Sequence, residues 1–262
     1  MREVFTMWRH TKMVVLVALT AGLYAAILIP LKGIPLIPGF TEIRPANVVP
    51  VVFSLLFGPA AAWGAAFGNL IGDFFGTLGL GSIFGFIGNF FYGLVAYKLW
   101  GPVGPGSAGA PLDSRSGRQV VRFVLTAFLA GAVCASFIAW GVDLFGLVPF
   151  GFLAPIITLN NFAAAALLGP FLLALLYPRA KRWDILWTDI LAVEEISRAK
   201  HHWLGALLMW AGGVGALLTG ILLSTGVYAS LPFHVGAGTT GFGVALGVLP
   251  FLLLFILGCV LA

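Results

Sequence analysis

Charge is scarce in this sequence. Asp, Glu, Lys and Arg make up 9% of its 262 residues, against roughly 25% in a soluble domain. So few charges cannot cover a water-facing surface, which excludes a soluble globular protein. Cysteine is nearly absent as well. Cys134 and Cys259 both lie inside apolar runs, without metal-ligand or CxxC spacing, and read as small buried hydrophobes. There is no HExxH, no GxSxG and no nucleotide-binding loop. His10, His201, His202 and His234 form no ligand cluster. No enzyme, metal or cofactor is therefore expected. Zinc-finger patterns and basic stripes interleaved with aromatics are also missing, so no nucleic-acid partner is expected. No Gly-Ser linker or low-complexity tract divides the chain. The basic start (Arg2, Arg9, His10, Lys12) precedes an apolar run but is followed by no clean cleavage site. It reads as the lead into a retained helix, not a signal peptide.

What the sequence has is hydrophobic residues, at 60%, and 35 glycines. In a bilayer, glycine lets helices approach closely. Met13 to Leu31 carries no charge. It is long enough to cross a hydrocarbon core of about 30 Å. Residues 32–45 hold three prolines with Lys32, Glu42 and Arg44, and read as a loop or re-entrant stretch. Residues 46–97 contain a single charge, Asp73. Gly58-Pro59 and Gly79–Gly81 are turn signals that divide this stretch into three helices. The first is so short that it needs tilt or shielding by protein. Residues 101–117 are rich in Gly, Pro and Ser and read as a cytoplasmic loop. Further spanning helices are predicted at about 123–142, 153–177, 203–225 and 240–262. Between them, 178–202 carries five basic and four acidic residues. Trp183, Leu186, Trp187, Ile190, Val193 and Ile196 recur at helical spacing, which predicts an amphipathic helix on the cytoplasmic membrane surface. A solvent helix packed on the bundle is the alternative.

The basic residues decide the count. With eight spans and the N-terminus inside, twelve Lys or Arg residues face the cytoplasm and only Lys32 and Arg44 face out. With seven spans, nine of the twelve move outside. The positive-inside rule favours eight, with both termini cytoplasmic.

Several polar residues stand where hydrocarbon disfavours them. Asp73, in GNLIGDFFG, is either a residue reaching interfacial water or a solute contact paired with a base such as Arg44. Asn47, Asn69, Asn89, Asn160 and Asn161 either bond across helices or line a polar pocket. Glu42 and Arg44 belong to a solvated loop or grip polar groups of a solute. The aromatics Trp63, Phe84, Phe86, Phe90, Phe91, Tyr92 and Trp140 could stack on a ring of a solute, but most read as packed or lipid-facing. Ala18, Gly22 and Ala26 recur every fourth residue and mark a close helix contact with an unspecified partner.

The stretch TEIRPANVVPVVFSLLFGPAAAWGAAFGNLIGDFFG resembles the substrate-binding S components of energy-coupling factor transporters, which are bacterial and archaeal uptake proteins for vitamins and related micronutrients. The resemblance rests on the Pro-Ala-Asn lead, the LLFGP turn and the Gly-x-x-x-Gly-Asp ending at Asp73, and it covers about residues 13–177. It implies an all-α polytopic transmembrane bundle in the cell membrane, with a six-helix solute-binding core over 1–177. The cytoplasmic surface helix of 178–202 and a two-helix extension, 203–262, are additions to that core. It further implies a solute held near the outer face, with residues 32–45 as a cap. Glu42, Arg44, Asn47, Asn69, Asp73, Asn89 and Asn160 become the candidate contacts. Ala18, Gly22 and Ala26 would meet a coupling membrane subunit driven by two cytoplasmic ATPases. A stand-alone secondary transporter, suggested by the paired Gly-Asn motifs and broken helices, and a structural subunit of a membrane complex are the competing readings. An intramembrane enzyme is the least supported.

Overall fold

The computed structural model describes residues 1–37, 41–42, 44–100, 116–192, 196, 201–226 and 242–262. Helices form at each of the eight segments that the sequence marks. They are α2 (Thr11–Leu28), α3 (Val48–Phe57), α4 (Pro59–Asp73), α5 (Gly81–Trp100), α6 (Gly117–Leu144), α7 (Phe150–Arg182), α9 (His202–Ser224) and α10 (Phe242–Leu261). A short α1 (Arg2–Thr6) precedes them, and a single turn, α8 (Trp187–Ile190), follows α7. Among the described residues, six helices are long and apolar enough to cross a bilayer. The chain is an all-α, multi-pass membrane bundle.

The two shorter helices, α3 and α4, meet at Gly58. Its φ of +59° and ψ of −132° suit glycine, which has no Cβ to clash. A side chain there would also meet the Trp187 ring at 2.8 Å. Pro59 then opens α4 where its missing N–H costs nothing. At ten residues, α3 is about 15 Å long, half a hydrocarbon core. Every one of its residues is buried, so protein rather than lipid surrounds it.

Close approach of helices rests on small residues. A Cβ on Gly64 would lie 2.4 Å from Thr20 Cβ and 2.9 Å from the Val17 carbonyl oxygen, so α4 is seated on the backbone of α2. The α9–α10 hairpin is built the same way: Gly205 meets the backbone of Ala262, and Gly212 meets that of Phe255. This hairpin docks on α6 and α7. Gly213 sits against Leu129 and Val133, and the Trp140 indole donates to the Ala245 carbonyl at 3.0 Å. Ser224 Oγ accepts the Gly151 N–H at 2.9 Å.

Both termini lie at one end of the bundle. There Glu3 accepts from the Lys98 ammonium at 2.8 Å and Trp63 donates to the Val4 carbonyl at 2.9 Å. At the opposite end, between α2 and α3, Pro35–Ile37 and Thr41–Glu42 form a two-stranded antiparallel hairpin, a detail that the expected loop did not specify.

The region 178–202 differs from the single amphipathic helix expected there. α7 runs on through Pro178 to Arg182. The proline falls within the last turn and a half, and the Arg179 guanidinium donates back to the Leu175 carbonyl. Three basic residues in that turn also suit the negative end of the helix dipole. Asp184 then takes a positive φ of 49° and ends the helix. Between Trp183 and His201, only α8 is helical among the described residues. The two tryptophans, expected to share an interfacial face, part company. Trp183 is 66% exposed, whereas Trp187 is buried against Tyr97 and the Gly58 turn. The pull of that tertiary socket outweighs helical periodicity. Residues 193–195 and 197–200 lie outside the described residues.

Candidate functional site

Asn69 and Asp73 are one helical turn apart on α4, and Thr77 follows at the same interval in the turn beyond it. This spacing puts three polar side chains in one column. Asn69 Nδ2 donates to Asp73 Oδ2 at 3.1 Å, and Thr77 Oγ1 donates to Asp73 Oδ1 at 2.9 Å. Arg44 enters from the segment before α3. Its Nη1 donates to Asn69 Oδ1 at 2.9 Å, and its backbone N–H donates to Asn160 Oδ1 at 3.3 Å. Asn69 thus relays between a guanidinium and a carboxylate. Arg44 and Asp73 are 8% and 5% exposed, so both charged groups are held within the bundle. Gly85 of α5 makes this possible: a Cβ there would lie 2.9 Å from Asn69 Nδ2.

These groups open into a cavity of about 410 Å³ at the end opposite the termini. That volume falls within the range of small-molecule pockets. Arg44, Asn69, Asp73, Thr77, Ser82 and Asn161 give it polar walls, while Ile138, Val142, Leu153 and Ile157 of α6 and α7 supply an aliphatic one. No aromatic ring lines it among the described residues. The aromatics noted in the sequence pack mostly on one another, as Trp63 does with Phe90 and Phe84 with Trp140.

Beneath the cavity lies a second polar layer. The Tyr24 hydroxyl of α2 sits 2.6 Å from Asn47 Oδ1 and 3.1 Å from Asn89 Oδ1, with its one proton between them. Asn47 Nδ2 donates to Asn161 Oδ1, and Asn89 Nδ2 donates to the Gly85 carbonyl at 2.9 Å. The Tyr92 hydroxyl is shared between the carbonyls of Asn47 at 2.9 Å and Asn161 at 3.0 Å. All five side chains are buried. In a bundle that excludes water such groups must satisfy one another. The layer ties α2, α5, α7 and the entry to α3 into one floor.

The candidate residues therefore separate. Arg44, Asn69 and Asp73 line the cavity. Asn47 and Asn89 belong to its floor. Asn160 steadies the backbone of Arg44 from the rim, while its neighbour Asn161 is the one that faces the cavity. The Glu42 side chain lies outside the described residues. Sequence reasoning missed Thr77, although its place in the 69–73–77 column was visible. It also missed Tyr24, Ser82 and the cavity-lining role of Cys134, for which no spacing signal exists. Ala18, Gly22 and Ala26 form an outward stripe on α2, flanked by exposed Leu19, Leu23 and Ile27.

A family model described as QueT transporter matches residues 14–178. The chain belongs to the QueT transporter family. No curated protein and no solved structure matches it. The matched span holds every residue that lines the cavity and every residue of its floor. α9 and α10 fall outside it. Membership in the QueT family makes the chain a polytopic membrane transporter of a small solute, without an enzymatic role. No group of three or more His, Cys, Asp or Glu residues among the described residues is arranged to hold a metal.

Proposed function

We propose that this QueT-family protein is the solute-binding membrane subunit of an energy-coupling factor importer, with a six-helix S-component-like core over 1–177 and a two-helix extension. The observation that carries this reading is the cavity of about 410 Å³ with its buried Arg44–Asn69–Asp73 relay. A guanidinium and a carboxylate held in a membrane interior are costly even when paired, and such groups mark a functional site by default. A purely structural subunit has no use for an adjoining empty space. The positive-inside rule supports an orientation with the cavity end outside the cell and both termini in the cytoplasm. A micronutrient-sized solute enters from outside, meets Arg44 and Asp73, and is covered by residues 32–45. The floor of Tyr24, Asn47, Asn89, Asn161 and Tyr92 blocks the way inward until the partners act.

Those partners are a coupling membrane subunit and two cytoplasmic ATPases. The reading is supported by the outward stripe Ala18, Gly22 and Ala26, where a Cβ on Gly22 would find nothing within 4 Å. The α9–α10 hairpin docks on α6 and α7 and leaves this face of α2 open. Co-purification with a coupling subunit and two ATPases, lost in Gly22→Leu, is the expected result. Solute uptake by vesicles that lack any ATPase and run on an ion gradient alone would overturn the proposal. Mass spectrometry of small molecules retained by the purified protein tests the site. Arg44→Gln removes a charge-assisted hydrogen bond and should lower retention about ten-fold or more. Equal retention would remove Arg44 from the site.

A further inference from the structure

Helix α2 has two faces of opposite character. Leu16, Thr20, Tyr24 and Leu28 are buried on one, while Ala18, Gly22 and Ala26 are exposed on the other, as the helical repeat requires. The buried face is seated on glycines of α4. A Cβ on Gly68 would lie 2.9 Å from the Ala21 carbonyl oxygen and 2.9 Å from Tyr24 Cδ1, so the Tyr24 ring rests on the backbone just before Asn69. Its hydroxyl reaches Asn47 Oδ1 at 2.6 Å and Asn89 Oδ1 at 3.1 Å. The Asn47 N–H in turn donates to the Arg44 carbonyl at 3.0 Å. Asn89 lies one turn from Gly85, whose missing side chain gives Asn69 its room. Arg44 and Asn69 meet at 2.9 Å. Each of the two is therefore within a turn of a group that Tyr24 touches.

We propose that Tyr24 is a positioning residue of the solute site: it keeps Arg44 and Asn69 in binding register while α2 holds its seat on Gly68, and a shift of α2 lets them go. Tyr24 does not line the cavity; it acts through Asn47, Asn89 and the backbone of α4. A hydrogen bond is short-ranged, so a movement of α2 by about 1 Å loses both hydroxyl contacts. Packed helices answer such shifts in discrete steps, because a close-packed contact does not stretch. The agent that moves α2 is the coupling subunit, and in this the inference rests on the function proposed above. That subunit meets the face of α2 opposite Tyr24. By linkage, whatever shifts α2 weakens solute binding, and bound solute holds α2 in place by the same factor.

Cys134, 1% exposed on the cavity wall, reports the state of the site without any solute in hand. A buried thiol is labelled only when its surroundings open, so its rate measures the open population. The test follows labelling of the full chain in micelles by sulfonatoethyl methanethiosulfonate, with peptide mapping to separate Cys134 from Cys259. Tyr24→Phe keeps the ring on Gly68 and removes the hydroxyl; it should speed Cys134 labelling about five- to ten-fold, the scale of one lost buried hydrogen bond. Gly68→Ala keeps the hydroxyl and displaces the ring, and should also speed it. The double variant should be no faster than the faster single, because both act through one contact. Cys259, in α10, should keep its wild-type rate, which a general loosening of the bundle would not allow. When the chain is co-purified with its coupling subunit, wild type should be labelled as fast as Tyr24→Phe, and Tyr24→Phe no faster than alone. An unchanged Cys134 rate in either single variant or in the wild-type complex, factors that multiply in the double, or Cys259 rising in step with Cys134 would each overturn the proposal. Failure to find any coupling subunit would overturn the function proposed above, while the isolated variants still decide the role of Tyr24.

Discussion

Tyr24→Phe removes one oxygen atom from the floor of the cavity and changes almost nothing else. Tyr24 is fully buried, and its ring is kept, so no void opens. What disappears is the donor 2.6 Å from Asn47 Oδ1 and 3.1 Å from Asn89 Oδ1. Neither amide turns easily to compensate, because each Nδ2 is already engaged, with Asn161 and with Gly85. Leaving a buried acceptor unsatisfied costs about 1–3 kcal/mol. Interhelical hydrogen bonds within bilayers are worth less, with an upper bound of about 1.7 kcal/mol. The expected loss is therefore about 1–2 kcal/mol, at the lower figure if cavity water reaches the amides. Reversible unfolding of the purified protein in mixed micelles measures it. Tyr92→Phe acts on the same residue from the other side, through the Asn47 carbonyl. The double variant should depart from the sum of the singles by more than about 0.5 kcal/mol. Stability within about 0.3 kcal/mol of wild type in Tyr24→Phe, or strict additivity, would show that the five residues do not act as one layer.

Other perturbations read other parts of the structure. Gly64→Ala places a methyl 2.4 Å from Thr20 Cβ and should cost about 1–3 kcal/mol in the same unfolding assay; no loss would mean that α2 and α4 are not in backbone contact. Cys134 and Cys259 are both buried, but Cys134 lies on the wall of the cavity whereas Cys259 lies in α10. A small methanethiosulfonate reagent should therefore label Cys134 first, and equal rates would count against an accessible cavity. Glu3→Gln should destabilise more than Lys98→Met, because Glu3 balances both Lys98 at 2.8 Å and the terminal ammonium at 3.0 Å. Removing the acid leaves two cations together, whereas removing the lysine leaves a pair; the reverse order in thermal melts would refute this. Burial, then the Lys98 charge, holds the terminal ammonium below its ordinary 8.0. The folded state thus binds fewer protons in the interval just below pH 8. Its stability should rise with pH across that interval and level off above it, and acetylating the terminal amine should abolish the rise.

Much of the fold was legible because a bilayer imposes simple rules. A run such as Met13 to Leu31 has few alternatives to a spanning helix, and Gly58-Pro59 has few alternatives to a break. The site was legible in part for the same reason. Asp73, Arg44 and Asn69 stood out because hydrocarbon makes such groups expensive. Local pattern misleads where periodicity competes with a tertiary socket. Trp187 fitted an amphipathic pattern, yet the space between Gly58 and Tyr97 claims its ring. Polarity alone did not separate Asn160 from Asn161 either. Adjacent residues on a helix point about 100° apart, so one reaches the rim and the other the cavity.

The sequence by itself determined that this chain lives in a membrane, which eight segments form its main helices, and which end the basic residues favour for the cytoplasm. Those properties follow from composition and local pattern, to which a bilayer responds directly. Only the tertiary structure decided which polar residues share a space. The meeting of Tyr24 with Asn89, or of Arg44 with Asn69, depends on how five helices pack around small residues such as Gly64 and Gly85. Packing at that range is a property of the whole bundle, and no single segment records it.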